Sequence, residues 1–105
     1  MMNNLFLAHE YVEQIRKIIK NTYPEGEVWA YGSRVYGDEQ TAHNGSDLDL
    51  CVKSFGVENG DIVRLRELFN ESNVPFLIDI FEYDLLPKVF QEEIARKHIV
   101  IYEPE

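Results

Sequence analysis

The chain has 105 residues, 45% hydrophobic and 12% aromatic, enough for one folded domain spanning 1–105 around one core. Nineteen acids face ten bases, for a net charge of −9, and no basic cluster exceeds Arg16-Lys17, so nucleic acid is a poor candidate for the main partner. There is no apolar run of about 18 residues that could cross a membrane. No basic-then-apolar leader follows Met1, and the lone Cys51 excludes an internal disulfide, so a cytoplasmic location is expected.

Residues 7–22 read as an amphipathic helix. Tyr11, Ile15, Ile18, Ile19 and Tyr23 follow helical spacing, with Glu10, Glu13, Arg16, Lys17 and Lys20 mostly outside. Lys17 and Lys20 suit the C-terminal end of the helix dipole, and Pro24 with Gly26 stops the helix. A first strand is predicted over 27–31, then a short helical turn over 33–37 and a polar loop over 38–46. The second strand is predicted over 47–53, and Gly56 to Gly60 is a turn region. Asp61 is a plausible N-cap for a helix over 62–72, whose Ile62, Leu65, Leu68 and Phe69 share a face. A third strand is predicted over 76–82. Pro87 opens a last helix over 87–97 with apolar Val89, Phe90 and Ile94, and 98–102 closes the chain as a short strand. The helical crossover between strands two and three predicts that these two lie parallel.

Two stretches carry chemistry. In Asp47-Leu48-Asp49-Leu50-Cys51-Val52, strand alternation puts Asp47, Asp49 and Cys51 on one face and Leu48, Leu50 and Val52 on the other. The two carboxylates then stand about 6–7 Å apart along the strand. Their repulsion calls for a neutralising cation, and hard Mg²⁺ prefers such an all-oxygen environment. In Phe76-Leu77-Ile78-Asp79-Ile80-Phe81 a single carboxylate interrupts an apolar strand, where burial is costly unless the charge is paired or binds metal. A parallel pairing of the two strands would bring Asp79 beside Asp47 and Asp49. Upstream, Gly32-Ser33 ends the first strand, where a glycine allows close approach of a phosphate to backbone N–H groups.

Gly32-Ser33, Asp47-x-Asp49 and the later Asp79 resemble the signature of the DNA polymerase β-type nucleotidyltransferase superfamily. By size the chain resembles the minimal nucleotidyltransferases, the catalytic half of MNT–HEPN pairs. The resemblance runs from the first helix to the final strand. It implies an α/β (α+β) nucleotidyltransferase fold, a small mixed sheet flanked by helices. One departure is the loop: the family usually has about 10 residues between Gly-Ser and the first Asp. Here there are thirteen, 34 to 46.

The resemblance further implies Mg²⁺-dependent transfer of a nucleoside monophosphate, AMP foremost, from an NTP to an acceptor hydroxyl. Asp47, Asp49 and Asp79 would form a two-metal site, with Asp79 also as general base. Gly32, Ser33 and Arg34 would hold the nucleotide phosphates. The implied partner is a HEPN-type helical chain, a tyrosine of which could be the acceptor in a toxin–antitoxin pair, and hetero- or homo-oligomers are compatible with this. The alternative is a binding-only antitoxin that keeps the fold but does no chemistry. A receiver-like Mg²⁺-binding domain needs more strand–helix repeats than this length allows.

Each residue also has a plainer reading. Arg34 could pair with Asp38 or Glu39 instead of phosphate, and His43 is expected to be a solvent-exposed loop residue. His9 and His98 lack partners at ligand spacing. Cys51 reads as a buried small side chain. Trp29 and Tyr31 read as packing residues, although Tyr31 abuts the Gly32-Ser33 turn.

Overall fold

The computed structural model describes residues 7–32, 35, 47–53 and 59–104. Its elements in chain order are α1 (His9–Thr22), β1 (Val28–Tyr31), β2 (Leu48–Val52), α2 (Asn59–Glu71), β3 (Ile78–Glu82), a 3₁₀ turn (Tyr83–Leu85), α3 (Lys88–Arg96) and β4 (Ile99–Tyr102). The strands form one mixed sheet in the order β3-β2-β1-β4. β1 runs antiparallel to both its neighbours, and β2 and β3 are parallel, as the helical crossover between them requires.

Strand alternation decides which side chains enter the core. Leu48, Leu50 and Val52 of β2 point to one face, with Val28 and Ala30 of β1, Ile78 and Ile80 of β3, and Ile101 of β4. That face is covered by Val12, Ile15 and Ile19 of α1 and by Ile62, Leu65 and Phe69 of α2. Val12 joins the stripe although the spacing reading put Tyr11 there; Tyr11 is only half-buried and meets Phe76 edge-on at 5.7 Å. Each fully buried aliphatic side chain contributes roughly 1.5–3 kcal/mol of transfer free energy. The opposite face holds a smaller cluster in which Cys51, Tyr83 and Ile94 are buried, with Trp29, Tyr31 and Leu86 packed against them.

Both outer strands are closed by an arginine from a helix. Arg66 of α2 donates to the Ile80 carbonyl of β3 at 2.8 Å, and Arg16 of α1 donates to the Ile101 carbonyl of β4 at 2.7 Å.

Three expectations need correction. The second helix starts at Asn59, so Asp61 lies inside its first turn and is not the N-cap. The third strand starts at Ile78 instead of 76, because its ladder has a partner only from Leu48, whose N–H bonds the Leu77 carbonyl at 2.9 Å. In α3 only Ile94 is buried; Val89 and Phe90 are 66% and 55% exposed. This helix is short and touches the sheet along a narrow stripe, so the rest of its apolar set finds nothing to pack on. Among the described residues no helix is long and apolar enough to cross a membrane.

Candidate active site

The site lies on the sheet face away from α1 and α2, at the end of β1 and the start of β2 and β3. Strand register aligns three residues across the sheet: Tyr31 of β1 is opposite Asp49 of β2, and Asp49 is opposite Asp79 of β3. Leu48 and Leu50 flank Asp49 in sequence and are fully buried on the other face, so the carboxylate cannot turn away without emptying the core. Asp47 sits one residue ahead of β2 and is exposed.

The electrostatics follow from this crowding. The Asp49 carboxyl is half-buried and its pKa is pushed up to about 6, first by burial, then by the negative charges of Asp79 and Asp47. Without a cation, Asp49 is therefore a poor place to keep a full negative charge. Among the described residues no three acidic, His or Cys side chains are gathered closely enough to cage a metal ion unaided. An open carboxylate row suits Mg²⁺, which is commonly held by one or two carboxylates together with substrate phosphates.

Gly32 completes the row. Its φ of +87° lies in the left-handed region, which side chains rarely adopt. A Cβ there would also drive into the Asp49 carboxylate. The site thus requires glycine twice, once for the turn and once for the close approach. The Val35 N–H bonds the Gly32 carbonyl at 2.9 Å. Ser33, Arg34 and His43 lie outside the described residues.

Asp79 departs from the expectation in one respect. Its side chain is exposed instead of buried in an apolar strand, because Ile78 and Ile80 take the core face and leave Asp79 and Phe81 on the other. The signal therefore was alternation and not a trapped charge. Cys51 is buried, and its thiol is pushed up to about 12 by burial, with Lys53 acting in the opposite direction, so it is no nucleophile. Beside it, the Trp29 ring stacks on His98 at 3.6 Å and its N–H bonds Glu27 at 2.6 Å, while the Lys53 ammonium lies 4.6 Å from the Tyr83 ring centroid. His98 bonds the Ile94 carbonyl through Nδ1 at 2.7 Å. These contacts brace the floor of the site. The sequence reading did not single out Phe81, which stands 40% exposed two residues after Asp79 on the same face of β3; the Ile78/Ile80 alternation was the available signal for it.

Residues 13–105 match the family described as polymerase beta, nucleotidyltransferase. The chain is 35% identical over 104 residues to a probable protein adenylyltransferase, MntA, of Haemophilus influenzae, covering 96% of this chain and 87% of that protein. Its fold matches a chain in a crystal structure of a toxin–antitoxin with AMP-PNP, with a TM-score of 0.67 at 16% identity over 90% of this chain and 74% of the other. It also matches a chain of the MntA–HepT toxin–antitoxin crystal structure, with a TM-score of 0.66 at 12% identity over 91% and 73%.

Proposed function

The chain belongs to the polymerase β-type nucleotidyltransferase family, and from that premise we propose that it transfers AMP from Mg²⁺-bound ATP to a hydroxyl, a tyrosine of a HEPN-type partner protein, as the antitoxin of a toxin–antitoxin pair. The single observation that carries this reading is the alignment of Asp49 with Asp79 beside a glycine turn that admits no side chain. That the 35%-identical relative is a probable protein adenylyltransferase, and that the fold neighbours come from toxin–antitoxin assemblies, supports a protein acceptor.

The residues divide the work. The turn at Gly32, with Ser33 and Arg34, binds the triphosphate through backbone N–H groups, a hydroxyl and a guanidinium. Asp47, Asp49 and Asp79 would be the carboxylates that hold the divalent cation brought in with the nucleotide. Bound there, magnesium supplies neutralisation of the phosphate charge and of the developing oxyanion. Asp79, exposed at the outer strand, is reachable by a large acceptor and takes the proton from its hydroxyl. The acceptor oxygen then bonds to the α-phosphorus as the bond to the bridging oxygen breaks, and pyrophosphate leaves. The rate gain comes from holding these groups in line and from charge placement, with no covalent enzyme intermediate.

The test is incubation of the protein, co-expressed with a HEPN-type partner chain, with α-labelled ATP and Mg²⁺. Protein-bound label together with released pyrophosphate is expected, and both should disappear in Asp49→Asn. Labelling that survives in Asp49→Asn overturns the mechanism. Partner binding with no pyrophosphate at all replaces it with the binding-only antitoxin.

A further inference from the structure

The backbone decides which face of β2 Asp49 takes, but not where on that face its carboxylate goes. Leu48 and Leu50 fix the face, and the staggered χ1 wells of an aspartate still leave several directions. The carboxylate leans toward the end of β1, since it occupies the space that a Cβ on Gly32 would need. What closes the other directions is its neighbour on β1.

Tyr31 is the ladder partner of Asp49, and directly opposed residues on one sheet face have Cβ atoms about 4.5–5.5 Å apart. Its half-buried ring packs on the cluster formed by Cys51, Tyr83 and Ile94. Cys51 follows Asp49 on the same face of β2, further from the mouth of the site. The ring therefore lies inboard of the carboxylate, between it and that cluster. Burial comes first among the causes that raise the Asp49 pKa, ahead of its acidic neighbours, and a ring on the β1 side supplies part of that burial. On the outboard side Gly32 has no side chain to present. A ring behind and bare backbone in front leave the carboxylate one place to rest.

We propose that Tyr31 is a positioning residue for Asp49: its ring backs the carboxylate and holds it against Gly32, so that the oxygen donors are in place before a metal-bound nucleotide arrives. This deepens the nucleotidyltransferase reading and rests on it for the identity of the ligand. The ring acts by its bulk, and the hydroxyl is dispensable to this role. A carboxylate ordered in advance spares the entropy of fixing it on binding.

The experiment compares the full-length wild type with Tyr31→Phe and Tyr31→Val. Calorimetry follows titration with a non-hydrolysable ATP analogue, with and without Mg²⁺, and AMP transfer to a HEPN-type partner is measured in parallel. Valine suits a strand but is too short to back the carboxylate. Tyr31→Phe should match the wild type in both titrations. Tyr31→Val should bind the Mg²⁺-loaded analogue about tenfold more weakly or worse and the metal-free analogue no more weakly, because only the metal-dependent part of the affinity passes through Asp49. Tyr31→Leu, which keeps more of the packing volume, should show the same split to a smaller degree. In an Asp49→Asn background Tyr31→Val should cost nothing further, since the two changes act on one group. Unchanged affinity for the Mg²⁺-loaded analogue in Tyr31→Val overturns the proposal. Equal weakening with and without Mg²⁺ also overturns it, as general damage to the fold, and so does a matching loss in Tyr31→Phe, which would assign the role to the hydroxyl. A wild type that shows the Tyr31-dependent split but transfers no AMP overturns the transferase reading and leaves the positioning role standing.

Discussion

Replacing Asp49 by Asn should make the metal-free protein more stable while removing its activity. The Asp49 carboxyl rises from 3.8 to about 6 in the folded chain, chiefly from burial and then from Asp79 and Asp47. For a carboxyl raised in this way, the folded state holds more protons than the unfolded state between about pH 4 and pH 6, so its contribution to stability declines as pH rises through that window. Above about pH 6 the penalty is complete. The shift corresponds to about 3 kcal/mol at 1.36 kcal/mol per unit, and solvent screening of a half-buried group reduces this to about 1 kcal/mol. Asn keeps the shape and removes the charge. At pH 7.5 in EDTA, Asp49→Asn should therefore be about 1 kcal/mol more stable, a rise in Tm of roughly 4–8 °C for a domain of this size. Near pH 4 the two proteins should converge. Urea unfolding followed by circular dichroism at several pH values measures the difference. Mg²⁺ should stabilise the wild type and leave the variant unchanged, because only the wild type has the repulsion to relieve. A variant less stable than wild type at pH 7.5 would show that Asp49 is favourably solvated or bonded when charged, and the account of a strained carboxylate row would be wrong.

Other outcomes follow from the same geometry. Gly32→Ala forces a Cβ into a left-handed backbone and into the Asp49 carboxylate; the backbone alone costs about 1–2 kcal/mol, and thermal unfolding with an AMP-transfer assay should show both a destabilised and an inactive protein. Asp79→Asn removes one of the charges that push Asp49 up, so it should raise the urea midpoint slightly at neutral pH yet lower the transfer rate by about 10² or more. Leu50→Ala removes a fully buried side chain under the site and should cost about 2–5 kcal/mol in urea unfolding. Cys51, buried with its thiol at about 12, should resist iodoacetamide at pH 8 in the folded protein and react once urea unfolds it.

Much of this layout could be read from residue order. The alternation in 47–53 separates a core face from a carboxylate face, and the helix between strands two and three requires their parallel pairing; the observed register of Leu48 with Ile78 and Asp49 with Asp79 follows from both. What could not be read is which faces find partners. Nothing in the spacing of Val89, Phe90 and Ile94 says that α3 would bury only Ile94, because periodicity defines a stripe and not its cover. Asp79 drew notice as a charge in an apolar run, whereas its alternation with Ile78 and Ile80 already puts it on the open face; only the further exposure that comes from β3 lying at the margin of the sheet depends on strand order. Asp61 makes the same point at a helix start: a good capping residue lies inside the first turn because the helix begins two residues earlier. The stacking of Trp29 on His98 joins residues sixty-nine apart in sequence, and neither carries a local sign of the other.

The guanidinium groups of Arg16 and Arg66 have a consequence for the protein in a crowded cell. A four-stranded sheet has two rims where a stray extended chain could latch on and seed fibrils. Here a cation from the helical layer is fastened to the backbone of each rim, so growth by added strands would first have to unseat it. Each rim thus has one backbone acceptor already taken by a side chain from the helical layer, and losing both arginines would leave those acceptors open to a pairing strand.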